Sequence, residues 1–199
     1  RDEIGYLWNH FAGMVQNLRE KQQELQAVHQ QLEIQATTDA LTGLYNRRYL
    51  YDIFPRLWSE SQRQQQRLSV LLIDLDLFKQ VNDRHGHQVG DKVLVMLAGV
   101  LRDTCRVSDF AFRMGGEEFL VLTKGDVDGA AVLAEKIRAT LELCSLVGDG
   151  YTLRVTASIG VARAEEGDGA NALSQLLARA DKALYAAKQS GRNQVLTWP

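Results

Sequence analysis

The sequence predicts an α/β domain, a mixed central β-sheet flanked by helices, preceded by one long N-terminal helix. Three observations carry this. From Thr37 onward, segments with apolar residues at helical spacing alternate with short apolar or period-two runs. Two of those runs, 109–114 and 118–123, meet at Gly115-Gly116 and read as an antiparallel hairpin, so the sheet is not purely parallel. Before Thr37 the pattern changes to a repeat of seven.

Within residues 1–36, Ile4, Phe11, Leu18, Leu25 and Leu32 recur every seven positions, interleaved with Leu7, Met14, Lys21, Val28 and Gln35. The seam is weakened at Lys21 and Gln35, and the positions between are largely Gln, Glu, Lys and Asn without Pro. A helix with so narrow an apolar stripe wants a partner helix, which predicts a self-associating coiled coil and a homodimer. Docking on its own domain is the weaker reading, because the repeat persists for about five heptads. The opening Asp2-Glu3-Ile4-Gly5, with Leu7, Phe11 and Met14, resembles the end of a HAMP signalling module. The expected organisation is therefore a signalling helix over 1–36 and a globular domain over 37–199. In the latter, helices are expected at 46–66, 88–104, 128–143 and 172–189, with strands at 68–74, 109–114, 118–123, 151–162 and 193–198.

Composition narrows the function classes. With 199 residues, 45% hydrophobic and 24% charged, the chain can bury one full core; it is neither disordered nor a disulfide scaffold. A net charge of -2 leaves no global basic footprint for nucleic acid or an anionic membrane. Cys105 and Cys144 are isolated and match neither a redox pair nor a zinc spacing. No apolar run reaches the length of a membrane span, so no membrane contact is expected of this stretch. A cytoplasmic setting is expected, including that of the cytoplasmic part of a membrane-anchored sensor, since the chain opens on Arg1 rather than Met.

Two segments put carboxylates beside glycines at strand ends. The first runs Asp74-Leu75-Asp76-Leu77-Phe78-Lys79-Gln80-Val81-Asn82-Asp83 and continues to Gly86-His87 and Gly90-Asp91. An apolar strand ending in Asp-x-Asp delivers acids to a sheet edge, where hard cations bind. The second is Arg113-Met114-Gly115-Gly116-Glu117-Glu118-Phe119, whose Gly-Gly turn has no Cβ to keep a phosphate from the backbone. If the two strands are neighbours, Asp74, Asp76, Glu117 and Glu118 converge, and a divalent cation with a phosphate substrate would relieve their repulsion. Singly, each segment is more often a turn, a helix cap or a plain hairpin. His85 and His87 have no third nitrogen or sulfur ligand nearby in sequence and are not read as metal ligands.

Together and in order, these segments resemble the GGDEF domain of diguanylate cyclases, in its GGEEF form at Gly115-Gly116-Glu117-Glu118-Phe119. Asp39-Ala40-Leu41-Thr42-Gly43-Leu44-Tyr45-Asn46-Arg47-Arg48 is similar to the family's opening DxLTGLxNRR. Asp74 to Asp91 is similar to its DxDxFKxxND and GHxxGD, and Ala180 to Lys188 with Gly191-Arg192-Asn193 to its ADxALYxAK and GRN. The resemblance covers residues 37–199 and departs from the family at no catalytic position. It implies a nucleotide-cyclase-like, ferredoxin-like core. It also implies an enzyme that condenses two GTP into cyclic di-GMP with release of two pyrophosphates, each ribose 3′-hydroxyl attacking the other nucleotide's α-phosphate. One subunit holds one GTP, so two subunits must face each other, and the heptad helix is a device for that.

The resemblance further implies Mg²⁺, with Mn²⁺ as an alternative, ligated by the carboxylates of Asp74 and Glu117 and the carbonyl of Leu75. Glu118 is a candidate ligand or a base for the 3′-hydroxyl, and both roles stay open. Backbone amides near Phe78 and Lys79, with the side chains of Lys79, Lys188 and Arg192, are implied to hold the β and γ phosphates. Asn82 and Asp91 are implied to read guanine, whose N1 and N2 donors suit a carboxylate that adenine N1 would repel. Capping of the following helix is the bland reading of Asp91. Arg106 and Asp109 stand where the family carries its RxxD product-inhibition site, and Arg138 is implied to supply a second arm from a neighbouring subunit. A catalytically silent cyclic di-GMP receptor and a purely dimerising relay are the alternatives. The intact acids argue against the first, and the second would not need them.

Overall fold

Eight consecutive residues with few polar side chains, Leu68 to Leu75, cannot face water on either side, so helices must cover both faces of the strand they form. The computed structural model of the chain meets that demand. It describes residues 2–148 and 150–199, and within the first helix the side chains of residues 8, 11 and 13 onward. The elements in chain order are α1 (Asp2–Thr37), β1 (Tyr45–Asn46), α2 (Arg47–Gln64), β2 (Leu68–Leu75), α3 (Phe78–His85), α4 (His87–Thr104), β3 (Phe110–Gly115) and β4 (Glu118–Lys124). They continue with α5 (Val127–Leu143), β5 (Leu146–Gly148), β6 (Tyr151–Leu153), β7 (Ala157–Arg163), a 3-10 turn (Glu166–Asn171), α6 (Ala172–Gln189) and β8 (Val195–Thr197).

The chain divides into two units, one ending at Thr38 and one running from Asp39 to Pro199. The first is α1, 36 residues long. Its seam residues Phe11, Met14, Leu18, Leu25, Val28 and Leu32 are all exposed, and Lys21, which interrupts the seam, pairs with Glu24 at 2.8 Å. The Asp2–Gly5 motif and the seam positions Ile4 and Leu7 have side chains outside the described residues.

In the second unit, six strands form a mixed sheet in the order β1-β3-β4-β2-β7-β8. β1 and β8 join in parallel at the two edges, and the four strands between are antiparallel. All eight residues of β2 are buried. Its alternation splits the core: Leu71, Ile73 and Leu75 pack with α3, α4 and α5, through Phe78, Leu97 and Ile137 among others. Leu68, Val70 and Leu72 pack with α2 and α6 through Phe54, Leu57 and Leu176. α2 starts where the Asn46 side chain accepts a hydrogen bond from the Tyr49 amide at 2.9 Å, a regular N-cap. It ends at Gln65 in a left-handed conformation, φ 51°.

The predicted mixed sheet with flanking helices is present, and α2, α4, α5 and α6 lie where helical spacing placed them. Several elements, β5 and the 3-10 turn among them, depart from the sequence reading. α3 was not expected, because its eight residues are too short for a clear helical period. β1 is a two-residue strand that only pairing with Phe112 and Arg113 defines. The single strand expected over 151–162 is two: β6 pairs with β5 in a separate small hairpin, and β7 joins the main sheet. The break has a cause, since the Thr156 carbonyl accepts the Asp76 amide at 2.8 Å instead of continuing a ladder.

Gly160 fixes how α6 lies on the sheet. A Cβ there would sit 2.1 Å from the Ala180 carbonyl oxygen and 2.3 Å from the Leu184 amide, so helix and strand touch backbone to backbone. Gly160→Ala must push α6 off β7, and equilibrium denaturation should show a loss of about 3 kcal/mol, at the upper end of overpacking costs. A loss under about 0.5 kcal/mol would mean the helix seats elsewhere at little cost.

Candidate active site

The β2–β4 register carries the acids to one edge. Asp74 is the direct partner of Glu118 across the antiparallel pair, and opposed residues in such a pair are within side-chain reach. Glu117 precedes β4 in the turn made by Gly115 and Gly116, with φ of 140° and 53°. Those dihedrals are open to glycine and strained for other residues. Asp74 is 5% exposed, Glu117 is half-buried and Glu118 exposed. Burial raises the Asp74 carboxyl above its usual range, opposed by Lys188 and helped by the Asp76 charge. Burial likewise raises Glu117, with the Asp74 and Glu118 charges adding to it.

Lys188, from the last turn of α6, pairs with the first of these acids: its Nζ lies 2.8 Å from Asp74 Oδ1. Arg192 follows in an exposed turn at φ 63°, its amide bonded to the Ala187 carbonyl at 3.1 Å. Leu75 is the buried last residue of β2. Leu77 then takes a left-handed conformation, φ 58°, and begins α3 without a side-chain cap. Buried Phe78 and exposed Lys79 open that helix just after the same strand end. Further along α3, Asn82 Oδ1 is buried without a hydrogen-bond partner. It packs against Gly90, where a Cβ would lie 1.9 Å from it. Asp91 follows Gly90 and is exposed. It does not cap α4, which starts at His87 with Gly86 as its N-cap residue.

Asp76 does not share the open cluster. Its Oδ1 accepts from the Ser158 hydroxyl at 2.7 Å, and its Oδ2 from the Thr156 hydroxyl at 2.7 Å and the Asn193 amide at 3.0 Å. It is a structural carboxylate tying the end of β2 to β7 and to the 191–193 turn. Of the two aspartates that the Asp-x-Asp spacing offers, Asp74 is the one left for chemistry. Hard carboxylate oxygens on Asp74 and Glu117, whose pKa values burial raises, fit a divalent metal. Among the described residues no three acidic, His or Cys side chains close on one point, which suits an ion that completes its shell with water and substrate phosphate oxygens.

Two features escaped the sequence reading. Arg113 Nη1 lies 3.1 Å from Asp39 Oδ1, while Nη2 donates to the Gly116 carbonyl at 2.9 Å, so one guanidinium ties the opening motif to the glycine turn. Burial would raise Asp39, but hydrogen bonds from Thr42 and Arg113 hold it below the usual carboxylate range. The partners are 74 residues apart, and no local pattern announces such a pair. Arg138, read as an arm toward a neighbouring subunit, is engaged within its own. It bonds Glu135, Glu142 at 2.8 Å and the Asn193 Oδ1 at 2.7 Å. Arg106 is exposed. Asp109 accepts from the Arg106 amide at 2.8 Å and from the Thr123 hydroxyl at 2.7 Å; the pair closes a turn after α4.

Comparison with known proteins places the chain. The family described as "Diguanylate cyclase, GGDEF domain" matches residues 36–194. The chain belongs to that family. It is 44% identical over 174 residues to the diguanylate cyclase DgcM of Escherichia coli K12, covering 87% of this chain and 41% of that protein. It is 39% identical over 165 residues to DgcS of Shewanella oneidensis, covering 83% and 54%. The chain thus spans about half the length of these relatives. Among solved structures, the coiled coil and GGDEF domain of Caulobacter crescentus DgcB in complex with c-di-GMP superposes with a TM-score of 0.85 at 29% identity, over 94% of this chain and 98% of that one. The active GGEEF domain of a Vibrio cholerae diguanylate cyclase superposes with a TM-score of 0.72 at 34% identity, over 77% and 97%. Among the described residues no helix is long and apolar enough to cross a membrane.

The two aspartates should separate by stability. Ionised Asp74 is disfavoured in the fold, so the stability it costs appears as pH rises through its raised folded pKa. Asp74→Asn should therefore unfold at the same or a higher denaturant concentration than wild type at pH 8. Asp76→Ala strands three buried or half-buried donors and should lose about 3 kcal/mol. Equal stability of the two variants would overturn this division.

Proposed function

We propose that the chain is a diguanylate cyclase that joins two GTP into cyclic di-GMP and releases two pyrophosphates, working as a homodimer. The observation that carries this is Asp74 opposite Glu118, beside Glu117 and bonded to Lys188, on the edge where α3 begins. Mg²⁺, or Mn²⁺ in its place, would be held by Asp74, Glu117, the Leu75 carbonyl and, in one of its two roles, Glu118. When bound it supplies charge stabilisation to the attacking and leaving oxygens. The chain's residues do the rest. The amides of Phe78 and Lys79 and the side chains of Lys79, Lys188 and Arg192 hold the β and γ phosphates and so fix the α-phosphate at the edge. The unpartnered Asn82 oxygen and the Asp91 carboxylate accept from guanine N1 and N2. Glu118, in its other role, takes the proton of the attacking 3′-hydroxyl. The exposed α1 seam pairs two copies, raising the effective concentration of one half-site for the other.

Product feedback through Arg106 and Asp109 belongs to the same reading. The Arg106 guanidinium is exposed and offers a fork of donors to phosphate or a guanine edge. The engaged Arg138 would have to release Glu135 and Glu142 to act as a second arm.

Incubation with GTP and Mg²⁺ should yield pyrophosphate and cyclic di-GMP, and Glu117→Gln should fall below about a tenth of the wild-type rate, because loss of a hard ligand costs at least that much. Absence of cyclic di-GMP at any enzyme concentration would leave the silent receptor as the better reading. Arg106→Ala should abolish the slowing of the time course as product accumulates and weaken cyclic di-GMP binding in calorimetry. A variant that still stalls at the same product concentration would remove Arg106 from the inhibitory site.

A further inference from the structure

We propose that Arg47 is a catalytic arginine acting across the dimer, donating to the α-phosphate of the nucleotide held by the facing subunit. The proposal rests on the cyclase reading above and starts from sheet register. Asn46 of β1 stands beside Arg113, Arg113 opposite Phe119, and Phe119 opposite Ile73. One residue further toward the edge, Gly115, Glu118 and Asp74 stand in register, and Arg47 follows Asn46 there as the first residue of α2. Arg47 thus lies about two strand spacings, ~10 Å, from Glu118 at the backbone. An arginine side chain can cover most of that span. Lys188 meets the row at its other end, from α6 and the β7 side.

The position is not explained by the helix that Arg47 begins. α2 has no acidic residue in its first turn and opens with two arginines, where the positive end of the helix dipole disfavours cations. Arg48 answers that cost by approaching Asp52 at 3.9 Å. Arg47 is exposed, and among the described residues it has no carboxylate partner within ion-pair distance. Its guanidinium instead sits 5.7 Å from the centre of the Tyr51 ring, one turn on. Tyr51 first, and Glu118 at longer range, keep that guanidinium above its usual pKa. It is a fixed charge resting on an aromatic ring, within electrostatic range of Glu118.

The flank decides which nucleotide it meets. Lys188, in the last turn of α6, and Arg192, just after that helix, lie on the β7 side of Asp74, so a subunit's own triphosphate lies there. Arg47 is on the far side of the glycine hairpin, where the second nucleotide must approach to bring its reacting group to this one. As the 3′-oxygen bonds to the α-phosphorus and pyrophosphate leaves with the electrons of the broken P–O bond, negative charge gathers on the non-bridging oxygens. The proton of the 3′-hydroxyl goes to the base acting on it, while Arg47 stays protonated and binds that charge through its planar fork.

The test is complementation in the full chain. Arg47→Ala should lose about a hundredfold or more in kcat, as for removal of a transition-state donor. Its binding of a non-hydrolysable GTP analogue should stay within about twofold and its melting curve should be unchanged, because the residue is exposed and serves the other subunit's nucleotide. Arg47→Lys should recover part of the rate, since it keeps the charge without the fork. Arg47→Ala is then mixed with Asp74→Asn under subunit exchange at saturating GTP. In mixed dimers the nucleotide on the Arg47→Ala subunit has its own acids and the other subunit's Arg47, so one bond forms and the linear dinucleotide pppGpG accumulates above either parent alone. No linear product in the mixture, with both parents inactive, overturns action across the dimer. An Arg47→Ala protein within threefold of wild-type kcat overturns the residue's role. A wild type that makes no dinucleotide overturns the cyclase reading, and this proposal with it.

Discussion

Antiparallel pairing of β2 with β4 sets Asp74 directly opposite Glu118, and most of what the domain does at this edge follows from keeping those carboxylates together. Like charges at such separation repel, and burial of Asp74 removes the water that would screen them. The fold tolerates this because β2 is locked from both sides, with seven paired positions to β4 and seven to β7, and buried on both faces. A loop carrying the same acids could move them apart. A central strand cannot, so the repulsion is answered by cations instead, and Lys188 is the one the chain itself brings.

The second aspartate of the pair makes the first one usable. Asp76 fixes Thr156, Ser158 and the Asn193 amide, and Asn193 is held in turn by Arg138 and by Glu142, which accepts from its Nδ2 at 2.8 Å. That chain of contacts positions the turn carrying Arg192, at φ 63°, and Asn193, at φ 47°, conformations disfavoured for non-glycine residues and stable only when the surroundings enforce them. Arg138 is therefore already part of what holds the 191–193 turn. Any ligand that drew it away would be felt there, whether or not it touched the acids.

Much of this was readable in the sequence because it is local. Hydrophobic period marked β2, β3 and β4 and the helices α2, α4, α5 and α6, the seven-residue repeat marked α1, and Gly115-Gly116 marked the hairpin. What was not readable depends on partners far along the chain. The division of 151–162 into two strands comes from the Thr156 carbonyl bonding the Asp76 amide, 80 residues away. The same separation hid which of Asp74 and Asp76 is structural, since both sit at the end of one strand with identical side chains. α3 escaped because two turns are too few for a period, and what forms it is the left-handed Leu77 that redirects the chain out of β2. The Arg113 tie joins two motifs that were each visible, but its existence is a tertiary fact.

The glycine turn shows why that tie matters. Gly115 and Gly116 have open space where a Cβ would be, which admits a phosphate but leaves the turn with little of its own to stiffen it. Stiffness comes from outside: Arg113 grips the Gly116 carbonyl from within β3, while its other nitrogen is held by Asp39, itself fixed by the Thr42 amide at 2.9 Å and the Thr42 hydroxyl at 2.7 Å. Arg102 from α4 then donates to the Thr42 carbonyl at 2.7 Å. The bare glycine turn is thus kept in place through one side chain by a segment that begins the domain, and loosening Asp39 would release the turn without touching a single residue of the acid row.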